Sequence, residues 1–279
     1  MDTGFPQADA EHDFLRQRRR QVLSRLVAWL RHEPDDVSEI LPFDEVVAAL
    51  GRTGERRLPG IQVVDLDTVV GSVDRTTDFD RWFRPRSRHS RERWERLARA
   101  QRRGETIPPV DLYRVGGLHF VRDGHHRVSV AHALGLRTID ALITEVTTKI
   151  DPNGIVHRGD LITKDLRRVF LDRVPLGRAQ LATIEVADAW NYAELSETVE
   201  AWGFRLMQSE GRYLDRETVA RRWWAEEYRP VVRLLTQAAL IGDRTETDAY
   251  LHLTCQRYRL LRTHRWDDEV VERLRADPG

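Results

Sequence analysis

The stretch Val115–Val130, VGGLHFVRDGHHRVSV, changes its periodicity halfway along, and that change limits what the chain around it can fold into. Leu118, Phe120 and Val121 follow the Gly116-Gly117 pair as a short apolar run, the pattern of a strand leaving a tight turn. Further on, Val128, Val130, Ala131 and Leu134 recur at helical spacing and Gly135 supplies a stop. A strand must therefore give way to a helix at Asp123-Gly124-His125-His126-Arg127. A glycine at such a junction lets the backbone approach a ligand, and the free N–H groups of the new helix favour an anion. Arg127 can add a charge-assisted fork to a phosphate. The plainer reading is that Gly124 only relieves a steric conflict, since strand–glycine–helix junctions are common and short motifs match by chance.

Composition narrows the field. With 279 residues, 41% apolar and 32% charged, the chain suits one large folded domain or two ordinary ones. No apolar run has bilayer-spanning length and the start lacks a signal-peptide core, so no membrane partner and a cytoplasmic location are expected. Cys255 stands alone, which excludes an internal disulfide. A formal net charge of zero argues against coating nucleic acid by bulk charge. Yet Arg81–Arg103 holds ten arginines against two glutamates, Glu92 and Glu95, and carries Trp82, Phe83 and Trp94 among them. That mixture suits a DNA-contacting surface and equally a nucleotide-binding loop.

Periodicity lays out the rest. Residues 11–32 read as an amphipathic helix with Phe14, Val22, Leu26, Trp29 and Leu30 as its stripe and Arg16, Arg18, Arg19, Arg20 and Arg25 in water. A short helix follows at Phe43–Leu50, then a charged loop at Gly51–Gly60. Ile61–Val70 is β-branched and reads as a strand, or a strand with a turn. Ser90 is placed to cap a helix to Arg103, with Trp94, Leu97 and Ala98 facing inward. Val110–Val115 and Leu118–Arg122 read as a hairpin, followed by a helix at His126–Leu134 and a strand at Ala141–Val146. Beyond the breaks at residues 147–163 the pattern is helical: about Lys164–Arg173, Tyr192–Trp202, Arg216–Ala225, Arg229–Ile241, Glu246–Leu261 and Asp267–Arg275, with one lone strand at Thr183–Ala187. Trp190, Trp202, Trp223, Trp224 and Trp266 read as packing anchors of that half. The expected organisation is a helical extension at 1–60, an α/β domain at 61–146, a linker at 147–163 and a helical domain at 164–279.

The order strand, arginine-rich loop, helix, hairpin, glycine turn, helix, strand over residues 61–146 resembles the ParB/sulfiredoxin-like domain of partition proteins, sulfiredoxins and some small-molecule kinases. Arg84-Pro85-Arg86 resembles the Pro-Arg element after the first strand of ParB proteins. Ile107-Pro108-Pro109-Val110 resembles their Gln-Pro-Ile/Val lead into the next strand. Asp123-Gly124-His125-His126-Arg127 stands where ParB has Gly-Glu-Arg-Arg and sulfiredoxin Gly-Cys-His-Arg. The resemblance implies a fold of α/β type and a nucleoside triphosphate or diphosphate, with Mg²⁺, held by Arg84, Arg86, Gly124, His125, His126 and Arg127. His125 replaces the sulfiredoxin cysteine, so thiolate chemistry is excluded. His125 and His126 replace the ParB Glu-Arg pair, and no helix-turn-helix is visible after residue 150.

The expected function is a nucleotide-dependent regulator that contacts DNA through Arg81–Arg103, or a protein partner or second copy through the helical half. The alternatives are an enzyme using the same pocket, a small-molecule kinase or a nuclease-like phosphodiesterase, and a non-catalytic scaffold. For an enzyme, Asp123, His125 and His126 are the catalytic candidates. Asp74, Asp78 and Asp80 are the carboxylates nearest by topology to deprotonate an acceptor. Singly, Asp74, Asp78 and Asp80 read more readily as turn formers on a wet loop, and Asp123 equally as a helix-start residue. His119, His125, His126 and His132 lack cysteine or HExxH-type company, so no resident metal site is expected.

Overall fold

A computed structural model describes residues 6–30, 39–87 and 91–276. The chain divides into two compact units, Met1–Asp165 and Leu166–Gly279.

The first unit opens with helix α1 (Pro6–Leu30), then β1 (Leu41–Pro42), α2 (Phe43–Leu50) and β2 (Arg52–Arg57). β3 (Gln62–Asp65), a 3-10 turn and β4 (Val69–Ser72) follow, then α3 (Arg91–Arg102), β5 (Val110–Val115), β6 (Leu118–Asp123), α4 (His125–Ala133) and β7 (Thr138–Thr148). The strands form one mixed seven-stranded sheet in the order β1-β4-β6-β5-β7-β2, with β3 also pairing β7. β4 and β6 run parallel, so Ser72 and Val121 are register partners near the carboxyl ends of both strands. Parallel strands end together, and their common end is where an α/β sheet leaves room for a ligand. The β5–β6 hairpin turns at Gly116-Gly117 as its spacing predicts.

Two apolar clusters hold this unit. Val64, Leu66, Val69, Phe79, Phe83, Val110, Leu112, Val121, Val128 and Ile143 pack together in one. Ala10, Phe14, Trp94, Ala98 and Val130 join α1, α3 and α4 in the other, where the Trp94 indole also donates to Ser129 Oγ at 2.9 Å. That hydrogen bond fixes α3 across α4 and leaves no buried indole unsatisfied.

Several expectations change. Gly51–Gly60 is not simply a loop: the wholly polar Arg52–Arg57 pairs antiparallel with β7. Backbone ladder bonds and an Arg56–Glu145 pair at 3.2 Å replace the apolar alternation by which strands are read from sequence. Two strands of the sheet, β1 (Leu41–Pro42) and β2 (Arg52–Arg57), thus lie within the expected helical extension at 1–60. The closing strand is longer than Ala141–Val146, because β2 and β3 extend it at both ends. On α1, Phe14 is buried but Val22 is exposed. Ser90, the side chains of Arg25, Leu26, Trp29 and Leu30, and residues 31–32 of the expected helix lie outside what is described.

The second unit is helical. α5 (Asp160–Arg173) runs into it, followed by α6 (Arg178–Leu181), α7 (Asn191–Glu210), α8 (Arg216–Trp223), a π turn (Trp224–Tyr228), α9 (Arg229–Gln237), α10 (Glu246–Leu261) and α11 (Asp268–Ala276). Thr245 caps α10 by accepting from Asp248 N at 3.0 Å, and Pro230 sits in the first turn of α9, both as their positions predict. The strand expected at Thr183–Ala187 does not form. Thr183 N and Ile184 N bond back to Gln180 and Leu181, and Ile184 is buried as a single anchor. Trp223 is buried as expected, whereas Trp190 is 67% exposed. Among the described residues no helix is long and apolar enough to cross a membrane.

Candidate functional site

The junction between β6 and α4 builds a site. Gly124 adopts φ +102°, a left-handed conformation that side chains resist, and a Cβ there would stand 2.7 Å from Val110 Cγ1. No side chain caps α4, so its first N–H groups face the turn unsatisfied by a cap. Against this turn lies a cavity of about 90 Å³ lined by Asp74, Arg75, Arg93, Leu97, Arg122, Asp123, Gly124, His125, His126 and Arg127. Four arginines face two aspartates there, so the lining is net cationic.

Both histidines are buried. Burial pushes each imidazole down to about 4, helped at His126 by the neighbouring Arg93 and Arg75. At neutral pH they are uncharged hydrogen-bonding groups. His125 Nε2 shares a hydrogen bond with Ser72 Oγ at 2.8 Å, and Ser72 Oγ also accepts from Arg75 N at 3.0 Å. Ser72 is fully buried, and this bond orients the His125 ring. His126 Nε2 is different: it is buried and has no hydrogen-bond partner. A buried polar atom without a partner is costly unless a ligand completes it.

The arginine-rich loop contributes in a way its composition does not announce. Asp80 accepts from Arg84 Nε at 2.7 Å and from the backbone N–H of Trp82 and Arg84, while Arg84 Nη2 reaches Ser24 Oγ. This knot holds Phe83 at φ +55° and fixes Phe79. The Phe79 ring stacks on His125 at 5.9 Å and meets the edge of His126 at 5.4 Å. The loop therefore supplies an apolar wall that desolvates both histidines.

The sequence candidates separate accordingly. Asp123, Gly124, His125, His126 and Arg127 come together at the cavity, and Asp74 joins them, with Oδ1 3.9 Å from His125 Nε2. Arg84 and Arg86 do not line it. Arg84 is bound to Asp80, and Arg86 lies farther along the loop, where its carbonyl accepts from Arg18. Asp80 is enclosed by the knot, and Asp78 pairs with Arg75 at 3.7 Å on the surface. Arg127 is present but engaged: Nη1 donates to the carbonyls of Pro108 and Pro109 at 2.9 and 2.6 Å, and Nη2 to Asp123 at 2.5 Å. It clasps the lead into β5 against the start of α4. His119 hydrogen-bonds Thr68 and His132 stacks on Phe83, both away from this cavity. Among the described residues no three His, Cys, Asp or Glu are grouped to hold a metal ion.

Ser72, Arg75, Arg93 and Arg122 were not singled out from sequence. Arg93 was visible only as one member of the cluster, and Ser72 and Arg75 needed the β4–β6 pairing to bring them to the turn. A second cavity, of about 300 Å³, lies beside the first and shares Leu97 and Arg127 with it; Ile107, Pro108, Val130, Leu136 and Ile139 line it together with the polar Gln101, Glu105, Thr106 and Asp140. Among the described residues of the arginine cluster, at least Arg84, Arg91, Arg102 and Arg103 are paired with carboxylates. The local positive charge is thus lower than the composition suggests. No family model matches the sequence, and no curated protein matches it.

Proposed function

We propose that the first unit is a ParB/sulfiredoxin-like domain that binds a nucleoside di- or triphosphate at the Gly124 turn, and that its nucleotide state controls contact with DNA or a protein partner. The observation that carries this reading is His126 Nε2, buried without a partner at a cationic cavity formed by an uncapped helix start. A cavity of about 90 Å³ suits phosphate groups and is too small for a nucleoside. The neighbouring cavity of about 300 Å³, with both apolar and polar walls, would take the base and sugar. In this reading the α4 N–H groups and neutral His126 donate to phosphate oxygens, Arg75 and Arg93 supply charge, and Ser72 holds His125 in place. Mg²⁺ entering with the nucleotide needs one or two carboxylates, and Asp74 at the rim fits that role.

A second reading has a specific observation behind it. Asp74 lies beside His125 at the same cavity, so a hydroxyl acceptor placed there would meet a carboxylate, as phosphoryl transfer requires.

Thermal unfolding with CTP, ATP, ADP and GTP, with and without Mg²⁺, tests the first reading. A nucleotide at about 100 times its Kd adds roughly 2.7 kcal/mol to stability. One nucleotide is expected to raise Tm, and His126→Gln and Arg93→Gln to weaken that response. A cooperative melt unmoved by all four would overturn the proposal. Turnover appearing only with an added hydroxyl compound, and lost in Asp74→Asn, would favour the second reading.

A further inference from the structure

The helical unit contains an arginine that its surroundings leave incomplete. Arg257, on α10, is 0% exposed, and its Nε, Nη1 and Nη2 atoms all lack hydrogen-bond partners. Glu227 faces it with Oε1 3.9 Å from Nη1, beyond hydrogen-bond reach. Glu227 is itself provided for: it accepts from the Trp266 indole N–H at 3.1 Å. A guanidinium with an open fork, taken out of water, calls for a two-oxygen acceptor.

Aromatic rings pack together on α10 and on the π turn that carries Glu227. The π turn lengthens the helical repeat, with Arg229 N bonding to Trp224 O, five residues back. In a regular α-helix Trp223 and Tyr228 would point well apart, whereas the wider π repeat brings them to nearly one face. Their rings are 5.0 Å apart, and Tyr228 meets Tyr250 at 5.2 Å. The polar ends of these rings are satisfied internally: Trp223 Nε1 donates to Tyr250 Oη, and Tyr228 Oη pairs with Thr247 Oγ1. Above the guanidinium the Trp266 ring stacks at 4.2 Å. Trp266 is partly exposed and sits between α10 and α11, on a non-helical stretch that begins at Arg262 with φ +52°. It is the cover over Arg257.

We propose that Arg257 receives a small oxyanion, a carboxylate or a phosphate, that enters by displacing the Trp266 ring. The oxyanion would accept from the guanidinium fork, in the space that the Trp266 ring leaves.

The full-length protein is titrated with benzoate and, separately, with inorganic phosphate. Tryptophan emission, Tm and hydrogen exchange over residues 262–267 are followed. Exchange in that stretch separates this response from phosphate uptake at the α4 turn. A saturable change there with either anion is expected, and the anion that produces it identifies the ligand class. Arg257→Lys keeps the charge and loses the fork, and is expected to bind about tenfold more weakly. Trp266→Ala removes the cover, leaves Arg257 in place and is expected to bind more tightly. No saturable change in the wild-type protein with either anion would overturn the proposal. So would a response that Arg257→Lys keeps in full, or one that Trp266→Ala leaves unaltered.

Discussion

Gly124 and the two histidines after it carry opposite liabilities. A side chain at Gly124 must tolerate a left-handed backbone and a 2.7 Å approach to Val110, so Gly124→Ala is expected to lower stability by about 1–3 kcal/mol in a denaturant titration. The histidines act through protons. His119, His125 and His126 are each pushed by burial down to about 4. The unfolded chain, with ordinary imidazoles near 6.5, therefore binds more protons across the interval from about 6.5 to 4. Stability is full above that interval and falls as pH drops through it, by up to about 1.4 kcal/mol per pH unit for each histidine. Unfolding free energies at pH 7.5, 6 and 5 should show that decline. His126→Gln should flatten it, and an unchanged slope would mean the imidazole is not desolvated.

At the scale of elements, the Arg127 clasp joins β6, α4 and the lead into β5. Were Arg127 only a ligand for phosphate, Arg127→Ala would leave the unliganded protein's Tm unchanged. The bonds to Pro108, Pro109 and Asp123 instead predict a loss of about 1–3 kcal/mol with no nucleotide present. In the helical unit, Gly203 on α7 meets Val219 on α8 so closely that an added Cβ would lie 2.5 Å from Val219 Cγ1. Gly203→Ala should destabilise by about 1–3 kcal/mol, and adding Val219→Ala should recover most of it. Elements whose residues announce themselves were legible in the sequence: α2 and α10 fall on Phe43–Leu50 and Glu246–Leu261 as their periodicity indicates. The Asp123–Arg127 turn was legible because its glycine and helix start are contiguous. β2 was not, because Arg52–Arg57 holds no apolar residue and takes its strand form from β7. The locations of Arg84 and Arg86 were also hidden, since the partner that holds Arg84, Asp80, is recognisable only once the loop has folded.

For the whole molecule, the two proposals make separate demands on their ligands. The α/β unit offers a cationic turn with neutral donors, and the helical unit a buried guanidinium under an indole. A nucleotide should therefore slow hydrogen exchange in α4 and β5 while leaving residues 262–267 unaffected, and an arylcarboxylate should do the reverse. On the proposed reading, contact with DNA through Arg81–Arg103 should be modest in its salt dependence. Each released counterion requires an arginine free to meet a phosphate, and at least four of the ten are already paired with carboxylates. A measured log–log slope as steep as that of a full ten-arginine groove would contradict these pairings.

β2 and β3 share one side of β7, and β2 closes that side with Arg52, Glu55, Arg56 and Arg57 all exposed. An extended segment approaching to add itself to this border would have to strip water from several guanidinium and carboxylate groups before its first backbone bond formed. The sheet is self-terminating there. The run that hides the strand from a reader of the sequence is the same run that keeps copies of the protein from growing onto one another.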